Sequence, residues 1–251
     1  MISKKDQVYA LLKGIETGDP QAVTVVNESK YIQHNPLTKT GNVGLAELFL
    51  RLSETNPHVE IVRVFEDGGY VFAHTDYDFN VLEVGFEVFR FEDGLIVEHW
   101  DNLELKPSNP NLSGHTMLSG TTQVSDLEKT EENRELIRLF INEVLVNKQL
   151  KRLNHYIDSK NYIEHNKDMS DGIEALRKVF TLNKKQRRYD TIHRVLAEGS
   201  FVLSVTEGYL DGTHVSFYDL FRIDKGSIVE HWDTVNEVPP RSQWLNNNGK
   251  F

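Results

Sequence analysis

The stretch EVFRFEDGLIVEHWD at residues 87–101 decides the organisation of the chain, because it returns as DLFRIDKGSIVEHWD at residues 219–233. The two stretches align without a gap and share nine of fifteen residues. Two further pairs of blocks keep the same order and nearly the same spacing: YIQHN (31–35) with YIEHN (162–166), and GLAELF (44–49) with GIEALR (172–177). The chain is therefore read as a tandem duplication of one unit of about 110–130 residues.

Each copy begins with helical periodicity and ends with strand periodicity. The predicted helices are 4–17, a short one after Asp19-Pro20 and 44–52 in the first copy, and 128–147, 149–158 and 172–182 in the second. The period then changes to two around turn signals such as Asp67-Gly68-Gly69 and Asp93-Gly94, which predicts a four-stranded meander in each copy. Helices followed by an antiparallel sheet are typical of the α+β class.

A segment rich in Pro, Gly, Ser, Thr and Asn separates the two copies, and this composition is typical of a linker. The expected organisation is a first domain at 1–106, a linker at 107–126, a second domain at 127–240 and a C-terminal tail at 241–251.

Composition excludes several classes of function. The chain has 251 residues and a net charge of −10, from 28 Lys and Arg against 38 Asp and Glu, so nucleic acid is not an expected partner. It contains no cysteine, which excludes a disulfide scaffold, a thiolate zinc site and a cysteine nucleophile. No 18-residue apolar run and no signal-peptide pattern occur, so we expect a cytoplasmic protein without a membrane partner.

The repeated motifs resemble a known family. The pattern Y-x-x-H-N-P, a glycine-led helix and then F-R-x-x-D-G-x-I-x-E-H-W-D is similar to the SnoaL-like polyketide cyclases of the NTF2-like superfamily, and here it runs through Tyr31–Pro36 and Phe89–Asp101. The resemblance implies two tandem NTF2-like domains with the cystatin-like cone fold. In each, three N-terminal helices and a curved antiparallel sheet would enclose an apolar pocket, and the two domains would pack as an intramolecular pseudo-dimer, which leaves room for a further oligomer.

The resemblance also implies chemistry. Characterised members close polyketide rings with a carboxylate as acid and base and without a cofactor, so the expected partner is a small apolar or carbonyl-containing ligand. Relatives include isomerases, epoxide hydrolases, dehydratases and binding proteins, and fold alone does not choose among them. Two functions therefore stay open: an acid–base cyclase, isomerase or dehydratase of unknown substrate, and a non-catalytic protein with one or two apolar pockets.

Strand alternation selects the candidate residues of the motif. His99 and Asp101 fall on one face of their strand, and Glu98 and Trp100 on the other. Glu87 joins His99 and Asp101 if the turn at Asp93-Gly94 is an odd-numbered loop, whereas a two-residue loop would place it on the opposite face. A carboxylate in an apolar pocket has a raised pKa and becomes a useful base beside a carbonyl group.

Roles are assigned on this basis. The acid/base aspartate of the family falls on Asp101 and Asp233, so Asp101 is expected to act as acid and base, while His99, His34 and His74 orient it or donate to the substrate. A structural hydrogen-bonding role for Asp101 and His99 is the alternative. The residues expected to bind ligand in the two copies are Tyr31, Asn35, Glu87, Phe89, His165, Asp219, His231 and Asp233.

Two further expectations concern metals and the difference between the copies. Two imidazoles and a carboxylate can hold iron or zinc, but no histidine pair has helical i, i+4 spacing, so neither a metal nor another cofactor is expected. The second copy has Lys167 at the position of Pro36 and Val205 at the position of His74. The first copy is therefore expected to hold the active or tighter site.

Overall fold

The chain forms two compact α+β units, and the expected fold class is confirmed. The computed structural model describes residues 2–181 and 186–251. Unit 1 comprises Met1–Lys106 together with Val238–Phe251, and unit 2 comprises Pro107–Glu237. Within the described ranges, no helix combines the length and the apolar character that crossing a membrane requires.

Unit 1 packs two helices against one face of a five-stranded sheet. Helix α1 starts after Ser3, whose hydroxyl accepts the Asp6 N–H, and it ends at Gly18, where φ is 68°. Its buried apolar face, with Val8, Leu11 and others, joins the core of this unit. The elements are α1 (Lys4–Thr17), a 3₁₀ turn (Pro20–Val25), β1 (Ile32–Gln33), α2 (Gly41–Ser53), β2 (His58–Asp67), β3 (Tyr70–Asp78), β4 (Leu82–Glu92) and β5 (Leu95–Leu105).

The sheet order is β1-β5-β4-β3-β2, and β1 is the strand that periodicity did not predict. A two-residue strand is too short to show alternation, because its pairing is decided by contacts far along the chain. It runs parallel to β5 and places Gln33 directly beside His99. The four antiparallel strands agree with the predicted meander.

The β4–β5 hairpin resolves the question of register. Its loop is the two-residue turn Asp93-Gly94, with φ of 51° and 81°, which by itself would separate Glu87 from His99 and Asp101. A bulge at residue 97 shifts the pairing by one position, however, so that Glu87 lies opposite Asp101. The three side chains therefore share a face through the bulge and not through an odd-numbered loop.

Unit 2 repeats this topology with the order β6-β10-β9-β8-β7 and a bulge at the equivalent place in β10. Its first helix continues into a π-helical turn, Ile141–Val146, and the predicted helix 172–182 is observed as Ile173–Thr181, with Leu182 outside the described residues. The remaining elements are α3 (Thr130–Phe140), α4 (Leu153–Tyr156), α5 (Ile173–Thr181), β6 (Ile163–Glu164), β7 (Arg187–Glu198), β8 (Phe201–Leu210), β9 (Thr213–Asp224) and β10 (Ser227–Glu237).

The expected linker and tail are structural parts of the units. Within unit 2, the Asn111 side-chain amide donates to the carbonyl oxygens of Glu164 and Asn166 at 2.7 and 3.3 Å. Within unit 1, the Asn246 amide does the same for Asn35 and Thr38 at 2.7 and 2.8 Å. Each segment satisfies backbone carbonyls of the loop after the short parallel strand, so the boundaries fall at 106/107 and 237/238 rather than around a free linker and tail.

Candidate functional site

The two faces of strand β5 have different environments. His99 and Asp101 face the helices of unit 1, together with Glu87 and Phe89 on β4, which lie directly opposite them in the sheet. Glu98 belongs to the opposite face, which each unit builds in the same way.

On that opposite face, a glutamate binds an arginine and a histidine. Glu98 lies 2.8 Å from His34 Nε2 and accepts from Arg90 Nε at 2.5 Å, and the His34 ring stacks on Trp100 with 4.5 Å between centroids. In unit 2, the set is Glu230, His165, Arg222 and Trp232, with corresponding distances of 2.9, 2.7 and 4.7 Å. Because both units keep the whole set, we assign it a structural role.

The buried glutamate of unit 2 is held as an anion. Burial alone would raise its pKa, but the hydrogen bonds from His165 and Arg222 outweigh burial and lower the pKa of Glu230 to about 2. This pairing ties β10 to β9 and to the loop after β6.

Three expected site histidines lie outside the cavities and require correction. His34 and His165 contact the structural glutamates, as described above. His74 is buried with its Nδ1 3.1 Å from an Arg63 guanidinium nitrogen and its ring 4.5 Å from that of Phe86. The reason is alternation on β3, where His74 points away from the face that carries Tyr77. His34 and His74 therefore do not reach Asp101.

Unit 1 encloses a cavity of about 500 Å³ between its helices and the sheet. This volume is within the range of small-molecule sites, about 300–1,000 Å³. Most of the wall is apolar and comes from α1, α2 and the far part of the sheet. Hydrogen bonds connect most of the polar lining residues into one group, which comprises Tyr31, Gln33, Asn35, Glu87, His99 and Asp101, while Thr38, Arg51, Thr55 and Glu83 also line the cavity. Of the expected residues, the structure therefore brings Tyr31, Asn35, Glu87, Phe89, His99 and Asp101 together.

Glu87 and His99 form a buried pair. His99 Nε2 lies 2.7 Å from Glu87 Oε2, and the Tyr77 hydroxyl donates to Glu87 Oε1 at 3.0 Å. On its other side, His99 Nδ1 lies 3.1 Å from Gln33 Oε1. Burial raises the pKa of the Glu87 carboxyl above its usual range, and His99 reduces but does not cancel this effect. A carboxyl group of this kind exchanges a proton near neutral pH more readily than an exposed one.

Asp101 is held by an amide and by an ammonium group from the C-terminal segment. Asn35 Nδ2 donates to Asp101 Oδ2 at 2.7 Å. Lys250 Nζ donates to the Asp101 backbone oxygen at 2.6 Å and lies 3.4 Å from Oδ1. Burial lowers the pKa of the Lys250 amine, and the nearby Asp101 opposes this shift. The carboxylate is thus oriented by two donors.

The same residues include carboxylate and imidazole groups that could hold a metal ion. Ligand atoms of Glu87, His99 and Asp101 lie within 4.8 Å of one another, as do those of Asp219, His231 and Asp233. In unit 1, a divalent cation would have to separate the Glu87–His99 pair and compete with the Lys250 ammonium for Asp101. In unit 2, it would compete with the guanidinium of Arg187, which lies 3.0 Å from Asp233 Oδ2. Both donor sets already hold a cation, so neither fits a resident metal well.

The corresponding space in unit 2 is small, as the described residues define it. It measures about 20 Å³, room for about one water molecule. Phe217 occupies the sheet position of Gly85, since each pairs with the equivalent threonine on the neighbouring strand. Arg187 crosses this space to Asp233. The expected residues Asp219, His231 and Asp233 do lie together, but the space that the described residues leave beside them is smaller than a ligand.

The chain is similar to several solved structures, each over part of its length. No model of a known protein family matches the chain, and no curated protein matches its sequence. An NTF2-like protein of unknown function from Burkholderia xenovorans LB400 is 15% identical, with 48% of this chain and 99% of that one covered and a TM-score of 0.40. Another, from Mesorhizobium loti, is 20% identical over 43% and 93%, with a TM-score of 0.38. The similar solved structures are NTF2-like proteins.

An epoxide hydrolase of Mycobacterium tuberculosis, described as LEH-like, is 21% identical over 43% of this chain and 85% of its own, with a TM-score of 0.36. Each of these three matches covers less than half of this chain. Since identities are this low and the TM-scores lie below 0.5, these matches carry no argument about activity.

Sequence reasoning missed four residues of the two units: Gln33, Tyr77, Lys250 and Arg187. Gln33 had a signal, because it is the single difference between YIQHN and YIEHN. Tyr77 shares its strand face with the predicted core and could have been found by alternation once the register was known. Lys250 and Arg187 gave no signal, since they reach Asp101 and Asp233 only through the fold.

Proposed function

We propose that unit 1 is an acid–base enzyme that acts on a small, largely apolar carbonyl compound. The observation that carries the proposal is the cavity of about 500 Å³, whose apolar wall ends at Glu87, His99 and Asp101. Apolar walls bind the body of such a compound, and buried acid and base groups at one end act on its carbonyl region. The described residues of unit 2 line a space of only about 20 Å³, and this unit has no catalytic role in the proposal.

The proposed chemistry is the transfer of a proton next to a carbonyl group. Asp101 takes the proton from the carbon, the electron pair of the broken C–H bond forms an enolate, and the Tyr31 hydroxyl donates to the oxygen on which charge develops. The Glu87–His99 pair then returns a proton to carbon or to a leaving oxygen. The 2.7 Å contact between these two side chains supports a shared proton, and the raised pKa of Glu87 makes its transfer easier.

The test measures exchange of carbon-bound hydrogen in deuterium oxide. A panel of enolisable ketones is first selected by displacement of the apolar dye anilinonaphthalene sulfonate from the full chain, and deuterium uptake is then followed by mass spectrometry. We expect uptake with the wild type, loss of at least about 100-fold with Asp101→Asn, and no loss with the matched Asp233→Asn variant of unit 2.

Two results would contradict the proposal. Equal uptake by wild type and Asp101→Asn would remove the assigned base. Displacement of the dye without uptake for any ketone would instead favour a non-catalytic binding protein, which the arrangement of Asp101 between Asn35 and Lys250 also allows.

A further inference from the structure

The two copies differ at one position that contacts the histidine of the motif. Gln33 lies beside His99 in unit 1, and Glu164 lies beside His231 in unit 2, at the same register of the short parallel strand. We propose that Gln33 is a positioning residue that keeps the Nε2 proton of His99 transferable and the Tyr31 hydroxyl free for a ligand, and that Glu164 removes both properties from unit 2. This inference rests on the proposed function of unit 1.

The Gln33 side chain has a fixed orientation. Its Oε1 accepts the Asn35 backbone N–H at 2.9 Å, and because a backbone N–H only donates, this atom is the oxygen of the amide. The same oxygen lies 3.1 Å from His99 Nδ1. An amide oxygen only accepts, so Nδ1 carries a hydrogen, and His99 exchanges protons through Nε2 alone, toward Glu87 at 2.7 Å.

The amide nitrogen of Gln33 determines how the Tyr31 hydroxyl is hydrogen-bonded. Gln33 Nε2 donates to the Tyr31 hydroxyl oxygen at 3.2 Å. This hydrogen bond uses a lone pair of the oxygen, so the hydroxyl hydrogen does not point to Gln33. Tyr31 is buried and lines the cavity. Burial, together with the charges of Asp101 and Glu87, raises the pKa of Tyr31 above its usual range, so it acts as a donor and not as an anion. Its hydrogen can therefore point to a carbonyl oxygen in the cavity.

In unit 2, a carboxylate replaces this amide and reverses both effects. Glu164 Oε1 lies 2.9 Å from His231 Nδ1, and Asp219 Oδ1 lies 3.2 Å from its Nε2. The charged groups around His231 are thus Glu164, Asp219 and Asp233, with the Arg187 guanidinium on Asp233. Although burial opposes it, the carboxylates hold the pKa of His231 well above its usual range, and the imidazole keeps both protons.

The corresponding tyrosine hydroxyl of unit 2 is already engaged as a hydrogen-bond donor. Tyr162, the equivalent of Tyr31, donates its hydrogen to Glu164 Oε2 at 2.6 Å. The Asn166 backbone N–H occupies Oε1 at 2.9 Å, as its counterpart does in unit 1. Because this contact is the same in both units, the exchange of an amide for a carboxylate accounts for the different hydrogen bond of the tyrosine and contributes to the second proton on His231.

The experiment exchanges the two residues in the full chain. We would compare the wild type with Gln33→Glu and with the matched Glu164→Gln variant, by ¹⁵N NMR of the imidazole nitrogens from about pH 6 to about pH 9. In the wild type, we expect His231 to keep both protons throughout and His99 to show a hydrogen on Nδ1, where Gln33 Oε1 accepts it. Gln33→Glu should make His99 behave like His231, and Glu164→Gln should make His231 behave like His99.

Unchanged imidazole signals in both variants would overturn the inference, as would a wild-type His99 whose Nδ1 carries no hydrogen. If Gln33→Glu does not fold, the change of His231 in Glu164→Gln still decides the question. Deuterium uptake separates this inference from the proposed function: we expect a loss of at least about 100-fold for Gln33→Glu and none for Glu164→Gln. Exchanged NMR behaviour without uptake in the wild type would refute the enzyme and leave the role of Gln33 intact.

Discussion

The structural glutamate of unit 2 makes a quantitative prediction about stability and pH. The side chain of Glu230 is 2% exposed, and its pKa of about 2 compares with an ordinary value of 4.5. A pKa shift of this size corresponds to about 3 kcal/mol of folding stability above about pH 5, since one pKa unit is equivalent to about 1.36 kcal/mol. Because the folded-state pKa is lowered, this stability is lost as the pH falls from about 4.5 through about 2.

The assay is urea unfolding of Glu230→Gln, followed by tryptophan fluorescence. We expect the variant to lose up to about 3 kcal/mol at pH 7 and about 1 kcal/mol at about pH 3, because the wild-type carboxylate is then mostly protonated in the unfolded chain. The exposed Glu128→Gln variant is the control and should differ by less than about 0.5 kcal/mol at either pH. A loss that is the same at pH 7 and pH 3 would refute the ion-pair account of this face.

Three further predictions concern the cavities and their cations. Gly85→Phe should abolish dye binding and destabilise unit 1 by about 1–3 kcal/mol, because a Cβ there would lie 2.6 Å from the Tyr77 ring; adding Tyr77→Gly, as in unit 2, should restore stability but not binding. Lys250→Met should lower the free energy of unfolding in urea by about 2 kcal/mol. An unchanged urea midpoint would show that the contact of Lys250 with Asp101 does not stabilise the fold. Arg187→Leu should cost about 3–5 kcal/mol at neutral pH and less in acid, where its buried carboxylate partner takes up a proton; a cost independent of pH would contradict this.

The duplication and the change of period were sufficient to predict the architecture from the sequence. Repeated blocks gave two units, and helical followed by strand periodicity gave the α+β class, because both patterns are local. Alternation also placed His99 and Asp101 on one face correctly, since side-chain direction along a strand does not depend on its partners.

The rest depended on contacts between distant residues. The bulge in β5 brings Glu87 to the site, and neither the turn residues nor composition reveals it. The histidine of YIQHN was expected in the pocket, but the parallel pairing of β1 with β5 gives that place to Gln33. The two cavities also differ by Phe217 at the sheet position of Gly85 and by Arg187, and each appears in sequence as one unremarkable difference between strands.

The segment that follows each sheet has a consequence for how the chain can be divided. Residues after β5 belong to unit 2, and residues after β10 belong to unit 1. A gene fragment cut at the end of the first repeat would therefore encode a unit without Asn246 and Lys250, and the remaining fragment would carry both with no site to complete. The two repeats are copies in sequence but are not separable modules, and a circularly permuted gene that begins at residue 107 and joins residue 251 to residue 1 is the rearrangement that would place each unit in one continuous stretch.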